Sequence, residues 1–453
     1  MDHAINPDNL HRTAKIFMDD GRVETAEAAM ALLGGFGVTI AVGAELASSP
    51  SHQIALLTLV NVARRTFLAG VEVVGLPDCS GLTALAPGQS LHEAVDVLGG
   101  RLATSARKDW PAAVIGSAGS LEITCPVWRL TWEGWRGGVV PASSGRQLLE
   151  DDSVLIAPAL AAAVCAGEVF TYHAKDNPMA GRRDAGLSLW KPNVNWLEPD
   201  LTEAKVAYLP SKLWFIGLGN LGQAFAWLLA ALPYKNRGEV QLLLQDFDRV
   251  GESNDSTSIL TSKAVVGKKK TRAMATWLEA RGFDTLIEER RFGAWTQRHD
   301  DEPGAVLCGV DNAVARMALD KAGFKLVIEA GLGGGTNAFR SFGIHTFPAS
   351  RTPAQIWERQ AREAMPSVEN MPAYHALASA ERGTCGLTEL ASRTVGVPFV
   401  GVIAGCLTIA ELLRRLNGGV AMEFMTGSTA ALGDVEYGEM PVGPYEHGHV
   451  AAE

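Results

Sequence analysis

No two cysteines of this sequence are spaced CxxC. The six stand apart at 79, 125, 165, 308, 385 and 406, which argues against a four-cysteine zinc site or a disulfide scaffold and fits a reducing cytoplasm. Basic residues are in deficit. Lys and Arg number 40 against 50 Asp and Glu, a net charge of -10, and Lys268, Lys269 and Lys270 form a short local run, so nothing favours nucleic acid as a partner. Long apolar runs are missing too. The most apolar stretch, 395–413, contains Pro398 and Glu411 and reads as a buried strand-turn-helix or helix pair rather than a membrane span. Residues 1–12 carry Asp2 and Asp8 and lack the basic and apolar regions of a signal peptide.

Apolar residues, at 47% of 453, supply large cores, and this length suggests two or three domains. The 48 glycines fit an α/β protein with many tight strand-to-helix turns. A turn-rich link containing Asn195, Glu198, Pro199 and Asp200 precedes a new strand, which divides the chain into 1–205 and 206–453. In the first part, 38–42, 71–76 and 113–115 read as strands, and 53–69 and 159–170 as helices. That alternation suits a Rossmann-type sheet. It has no GxGxxG, and Gly116-Ser117-Ala118-Gly119 is only a fragment of one. The first part therefore looks like a nucleotide fold without the nucleotide chemistry. The second part reads as strands at 213–216, 240–244, 305–308, 326–329 and 342–345, with a helix ending near 232. No internal repeat is visible at the residue level.

The first of those strands runs into Gly217-Leu218-Gly219-Asn220-Leu221-Gly222. Gly217 permits the tight turn, Gly219 lets backbone approach a phosphate, and Gly222 lets the helix pack on the strand. The helix N-terminus adds N–H donors and a positive dipole end. A mere packing turn is the bland alternative. Asp246 follows Gly222 by 24 residues, where a carboxylate can take both ribose hydroxyls. An NAD-dependent dehydrogenase would show the same two features.

Residues further along the chain separate nucleotide activation from hydride transfer. The segment Gln245-Asp246-Phe247-Asp248-Arg249-Val250-Gly251-Glu252-Ser253-Asn254 leads to Val266-Gly267-Lys268-Lys269-Lys270, then Gly309-Val310-Asp311-Asn312 and Arg316. The order GxGxxG, DxDxVxxSN, VGxxK and DNxxxR, over roughly 213–419, resembles the ThiF/MoeB/ubiquitin-E1 adenylating superfamily. The resemblance implies an α/β fold with two Rossmann-like, ThiF-type domains in one chain: an inactive adenylation-like domain at 1–205 and an active one at 206–453, arranged as a pseudo-dimer. It implies ATP held by Gly217, Gly219, Asn220, Leu221, Gly222, Asp246, Asp248, Asn254, Lys270, Asp311 and Asn312. Lys270 stands where the family has its catalytic lysine, and Asp311 where the family organises Mg2+.

The chemistry explains these residue types. A carboxylate attacking the α-phosphate builds negative charge that fixed cations stabilise in a water-poor cleft. Magnesium prefers carboxylate and phosphate oxygens. Hydride transfer needs neither. Taken alone, the triple lysine is an ordinary solvated helix start, and Asp311 a helix cap. One departure stands out: the arginine usual three positions after the motif asparagine is Thr257 here. Arg272, Lys268 or Lys269 are candidate replacements. Arg12 is another, reaching across from the first part as the family's partner-half arginines do, although a surface position is its simpler reading.

Cys385 sits in Arg382-Gly383-Thr384-Cys385-Gly386-Leu387, before a predicted helix start, a setting that lowers a thiol pKa. The resemblance makes it the thiol that takes the modifier as a thioester; an incidental loop cysteine is the alternative, and no base for it is identifiable. Cys308 and Cys406 read as packed core residues. MoeB and ThiF types are homodimers, usually with a CxxC zinc site absent here, which favours the ubiquitin-like branch; homodimerisation stays open. Only 50 residues separate Gly335 from Cys385, and 34 follow Gly419, too few for the cysteine and ubiquitin-fold domains of large E1s. The expectation is a minimal prokaryotic, cytoplasmic E1. It adenylates the C-terminal carboxylate of a ubiquitin-like protein and passes it from Cys385 to an E2-like protein, in an antiphage conjugation system, with no nucleic acid and no membrane involved. Sulfur transfer or peptide modification without a thioester is the alternative, and an NAD-binding Rossmann protein a further one.

Overall fold

The structure is a computed structural model that describes residues 10–119, 121–334, 338–362, 395–441 and 443–453. Two mixed sheets carry it. The first comprises β1 (Gly37–Val42), β2 (Gly70–Val74), β3 (Arg101–Ala103), β4 (Ala112–Ile115), β5 (Val127–Glu133), β6 (Arg136–Pro141) and β7 (Ala185–Ser188), in the order β3-β2-β1-β4-β5-β6-β7. After β8 (Tyr208–Pro210) the second sheet begins. It comprises β9 (Lys212–Ile216), β10 (Gln241–Gln245), β11 (Asp284–Glu288), β12 (Ala305–Cys308), β13 (Leu326–Leu332), β14 (Ser341–Phe347), β15 (Ala421–Ser428) and β16 (Ala431–Met440), in the order β11-β10-β9-β12-β13-β14-β15-β16.

The two sheets follow one path. In each, the first five strands pair in parallel as third-second-first-fourth-fifth, and the sixth and seventh then add in antiparallel fashion. The second sheet has one strand more. The helices obey the same correspondence. Helix α3 (Pro50–Arg64) follows the first strand of its sheet and α6 (Asn220–Ala231) the first strand of the other. Likewise α5 (Ala157–Ala174) joins the sixth and seventh strands of its sheet, and α10 (Pro398–Leu416) those of the second. The chain is thus a duplicated fold, although no residue-level repeat betrays it.

Helices α5 and α10 pack on each other, α5 also on α3 and α10 also on α6. All but two residues of α5 are buried, as expected of a helix that is apolar all round. One continuous apolar core runs through both halves. Here the sequence expectation is corrected. The stretch 395–413 is not a strand and helix or a helix pair; it enters a single helix, Pro398–Leu416, with Pro398 in its first turn, where the missing N–H is no loss. Glu411 is fully buried inside it because Arg414 and Arg415 pair with it at 2.5 and 2.6 Å and it accepts the Met422 N–H at 3.1 Å. The residues after Gly419 complete the second sheet as β15 and β16. No helix among the described residues is long and apolar enough to cross a membrane.

Candidate functional site

In the second sheet the connections from β9 and β12 leave in opposite directions, to β10 on one side and β13 on the other. This is a topological switch point, where open α/β sheets leave a crevice outside the carboxyl ends of their strands. The glycine loop follows β9, Asp246 follows β10, and Asp311 lies three residues beyond Cys308 of β12. Gly217 has φ +84°, and a Cβ there would meet Val310 Cγ1 at 2.9 Å and Val310 N at 3.1 Å. The loop therefore touches the residue directly before Asp311. A Cβ on Gly222 would fall 2.1 Å from the Gly217 carbonyl oxygen, whereas Gly219 has nothing within 4 Å. Gly219 is the open side of the loop, beside the unpaired N–H groups that begin α6.

Asp246 is buried at 9% exposure. Its Oδ2 accepts the Leu218 N–H of the glycine loop at 2.7 Å, and its Oδ1 accepts the Asp248 N–H at 2.8 Å. The Lys270 ammonium stands 2.9 Å from Asp248 Oδ2 and 3.9 Å from Asp246 Oδ2. It is held there by backbone: Lys270 N–H donates to Asp248 O at 3.0 Å, Val250 N–H to Lys268 O at 2.9 Å and Gly267 N–H to Val250 O at 2.8 Å. Lys270 opens α7 (Lys270–Glu279) without being a solvated start, since its side chain is 13% exposed.

Asp311 is exposed, and it is not the cap of α8 (Ala313–Ala318). Asn312 is, its Oδ1 accepting from Val314 N–H at 2.9 Å and Ala315 N–H at 3.1 Å. The Asp311 carboxylate has no hydrogen bond or ion pair among the described residues. Arg316, one turn on, donates Nε–H to Val310 O at 2.8 Å, stacks over Trp357 at 4.3 Å and reaches the buried Glu329 at 3.6 Å. It fixes the backbone just before Asp311. Other residues named from the sequence also make contacts within the protein. Asn254 Oδ1 accepts the Gly251 N–H at 2.8 Å, Asn220 Nδ2 donates to Gly396 O at 2.5 Å, and Leu221 is buried beneath Gly309. Cys385 lies outside the described residues. Of the described cysteines, burial pushes Cys308 up to about 12 and raises Cys165 and Cys406 as well.

The simpler reading of Arg12, a surface position, is corrected. It is buried at 7% and crosses to the second half, its N–H donating to Ser256 Oγ at 3.1 Å and its Nη2 to Ser253 Oγ at 3.2 Å. These serines flank Asn254. Two of the cations suggested in place of an arginine at 257 are otherwise engaged: Arg272 pairs with Glu289 at 2.8 Å and Lys269 donates to Phe247 O. Sequence reasoning missed Arg64 and Arg65 at the end of α3. Arg64 grips Asp255 through two bonds of 2.9 and 2.7 Å, and Arg65 donates to Ser258 O at 3.2 Å and Thr261 O at 2.6 Å. Burial lowers Arg65 to about 9. Burial opposes ionisation of Asp255, but Arg64 outweighs it and holds the carboxyl below its ordinary value. A doubled arginine in a helix's last turn was the available signal. A cleft of about 200 Å3 beside Gln245, lined by Trp214, Glu288, Arg290, Arg291 and Trp295, was also missed.

The matching place in the first half is already filled. Both Glu45 oxygens lie 3.1 Å from Ser117 N, between Gly43 and Gly116. Pro50 removes one N–H from the start of α3, Ser49 caps His52 N–H at 3.4 Å, and Asp152 takes the Ser51 N–H at 2.8 Å.

The glycine loop, Asp246, its paired Lys270 and the uncommitted Asp311 sit on a duplicated α/β frame, and the chain is an E1-like protein of the adenylating kind. The comparisons make this specific. The BilD N-terminal domain family matches residues 37–189 and the BilD C-terminal domain family residues 209–419. The bacterial E1-like protein BilD of Collimonas sp. (strain OK412) is 61% identical over 452 residues, spanning 100% of this chain and 98% of that protein. The chain belongs to the BilD family of bacterial E1-like proteins. Among solved structures, E. coli MccB is similar at 13% identity and a TM-score of 0.33, over 52% of this chain and 63% of that one. E. coli tRNA N6-threonylcarbamoyladenosine dehydratase, TcdA, is similar at 14% identity and 0.30, over 45% and 87%.

Proposed function

We propose that the crevice between β9 and β12 binds ATP and that the chain adenylates the C-terminal carboxylate of a ubiquitin-like protein. One observation supports the reading: the Lys270 ammonium stands 3.9 Å from the carboxylate that braces the glycine loop, and the uncommitted Asp311 directly follows Val310, which adjoins Gly217 of that loop. The N–H groups of α6 take the phosphates, and Asp246 takes the ribose while bracing the loop. When the modifier's carboxylate oxygen bonds to the α-phosphorus, the bond to the bridging oxygen breaks and pyrophosphate leaves. Lys270 stabilises the charge that builds on the phosphoryl oxygens. Asp311, with phosphate oxygens, suits one magnesium ion, which when bound supplies a further positive charge. Arg12 brings from the first half the cation that Thr257 does not provide, and Arg64 neutralises Asp255 beside it. The first half is inactive in this reading, because its own carboxylates, Glu45 and Asp152, cover the N–H groups a phosphate would need.

The reading extends to Cys385, which takes the acyl group from the adenylate as a thioester, releasing AMP, and yields it to an E2-like partner. An antiphage conjugation setting in the cytoplasm completes it. The E1-like family supports the ubiquitin-like substrate.

Modifier-dependent exchange of labelled pyrophosphate into ATP tests the first step. Lys270→Ala and Asp311→Ala should each lower it roughly 100-fold or more, as for other groups aimed at transition-state charge. Unchanged exchange in Asp311→Ala would sink the site. Cys385→Ala should keep exchange while losing a DTT-sensitive conjugate; transfer persisting in that variant would select adenylation without a thioester.

A further inference from the structure

The far end of the second sheet carries a different chemistry. There the chain after β16 folds past the strand starts and bounds a cleft of about 190 Å3. Leu326, the first residue of β13, lies in its wall, as does Arg415 in the last turn of α10. The opposite end of α10 adjoins the glycine loop, where Asn220 Nδ2 donates to the carbonyls of Gly396 and Val397. Helix α10 has 19 residues, so the cleft lies roughly 28 Å from that loop.

Donors converge on this cleft. Lys325, Arg415, Tyr445 and His447 line it with Leu326, Met440, glycine and prolines, and none of its described lining residues is acidic. That is notable in a chain with ten more acidic than basic residues. A Cβ on Gly304 would meet His447 Nδ1 at 3.3 Å, Lys325 Cγ at 3.6 Å and Arg298 Nε at 3.8 Å, so three basic side chains meet around one point. The Lys325 ammonium has no ion pair among the described residues. Arg415 is partly committed, its Nε donating to Glu411 at 2.6 Å and its Nη2 to Met440 Sδ at 2.9 Å, which leaves Nη1 without a partner among the described residues. Burial, and then Arg298, Arg415 and Lys325, hold His447 below its ordinary value against Glu446; the neutral ring still donates one N–H.

Tyr445 supplies the independent observation. Its ring meets His447 edge-on at 5.0 Å, and its hydroxyl oxygen is buried with no hydrogen-bond partner among the described residues. A buried hydroxyl left unpaired costs about 1–3 kcal/mol, so a native fold keeps one chiefly where something else satisfies it. Donors approaching from three different elements suit an ion with several oxygens better than a two-oxygen carboxylate.

We propose that this cleft is a second anion site, which takes an oxyanion of the phosphate class through Lys325, Arg415, His447 and the Tyr445 hydroxyl. The site stands independently of the adenylation reading. The ion is either free phosphate or the phosphate group of a small nucleotide such as AMP.

Calorimetric titration of the full chain with inorganic phosphate, at constant ionic strength and with chloride as reference, tests it. Saturable binding is expected, unchanged in Lys270→Ala and weakened about tenfold or more in Lys325→Ala, the equivalent of one charge-assisted hydrogen bond. Tyr445→Phe should weaken phosphate too, yet raise the melting temperature in phosphate-free buffer by removing the orphaned hydroxyl. A parallel titration with AMP identifies the source: Lys325-dependent binding of AMP but not of phosphate assigns a nucleotide, the converse a free ion. The proposal is overturned if neither phosphate nor AMP binds in a Lys325-dependent way, or if Lys270→Ala abolishes binding that Lys325→Ala leaves intact.

Discussion

Replacing Gly222 by alanine opposes two effects of known size. Gly222 lies in the first turn of α6, and alanine is favoured over glycine in a helix by about 1 kcal/mol. Against this, the new Cβ would lie 2.1 Å from the Gly217 carbonyl oxygen, where ordinary contacts begin at 3.4 Å. The obstacle is backbone, in a turn whose φ of +84° already confines it, so the loop must move by more than an ångström. Overpacking of this kind costs typically about 1–3 kcal/mol; with little room to yield, the upper part of that range applies and the net loss is about 2 kcal/mol. At about 2–4 °C per kcal/mol for domains of this size, the melting temperature should fall by several degrees. Displacing the loop also misaims its N–H groups, so ATP should bind at least about tenfold more weakly. Gly219→Ala is the control, because its Cβ meets nothing within 4 Å and its φ is −83°. It should leave the melting temperature unchanged and still weaken ATP, by occupying the side from which the phosphates approach. Scanning fluorimetry with and without ATP reads both variants. A higher melting temperature in Gly222→Ala, or wild-type ATP affinity in Gly219→Ala, would refute the reasoning.

Glu411→Ala strands Arg414, which is fully buried, and should cost roughly 3–5 kcal/mol, as breaking buried ion pairs does; a loss below about 1 kcal/mol in urea titration would mean that the bond from Arg414 to Leu189 O suffices. Burial lowers His11 from 6.5 to about 4. Since the unfolded chain binds its proton first, stability should be full above pH 6.5 and decline as pH falls towards 4, a slope that His11→Gln should flatten in acid-melting curves. Arg64→Ala should raise the Asp255 pKa, weakening the junction of the halves, and should lower ATP affinity through the turn bearing Asn254; calorimetry that finds ATP binding unchanged would assign Arg64 to the frame alone.

Much of the second half was legible because its signals are local. The apolar runs before Gly217 and Asp246 mark β9 and β10, and Gly217, Gly219 and Gly222 each mark a backbone requirement. Of the antiparallel strands, β14 was legible, at 342–345, and the others were not. In β5, Trp128, Leu130, Thr131 and Trp132 are all buried, so no clean alternation advertises a strand, and β15 and β16 hold Gly427, Gly433 and Gly438 between bulges. The duplication was invisible because the matching strand ends have different tasks. Gly217 adjoins an open loop, while a Cβ on the corresponding Gly43 would fall 2.2 Å from Glu45 Oε2. Arg12 was misjudged as a surface residue because its partners, Ser253 and Ser256, are over 240 positions away, and no local pattern records such a contact.

Arg12 and the turn it enters belong to one polypeptide, so their encounter is intramolecular. Its effective concentration is set by the fold and not by how much protein is present. Turnover per molecule should therefore be the same at nanomolar as at micromolar enzyme, and mixing variants crippled at residue 12 with others crippled at residue 270 should restore nothing.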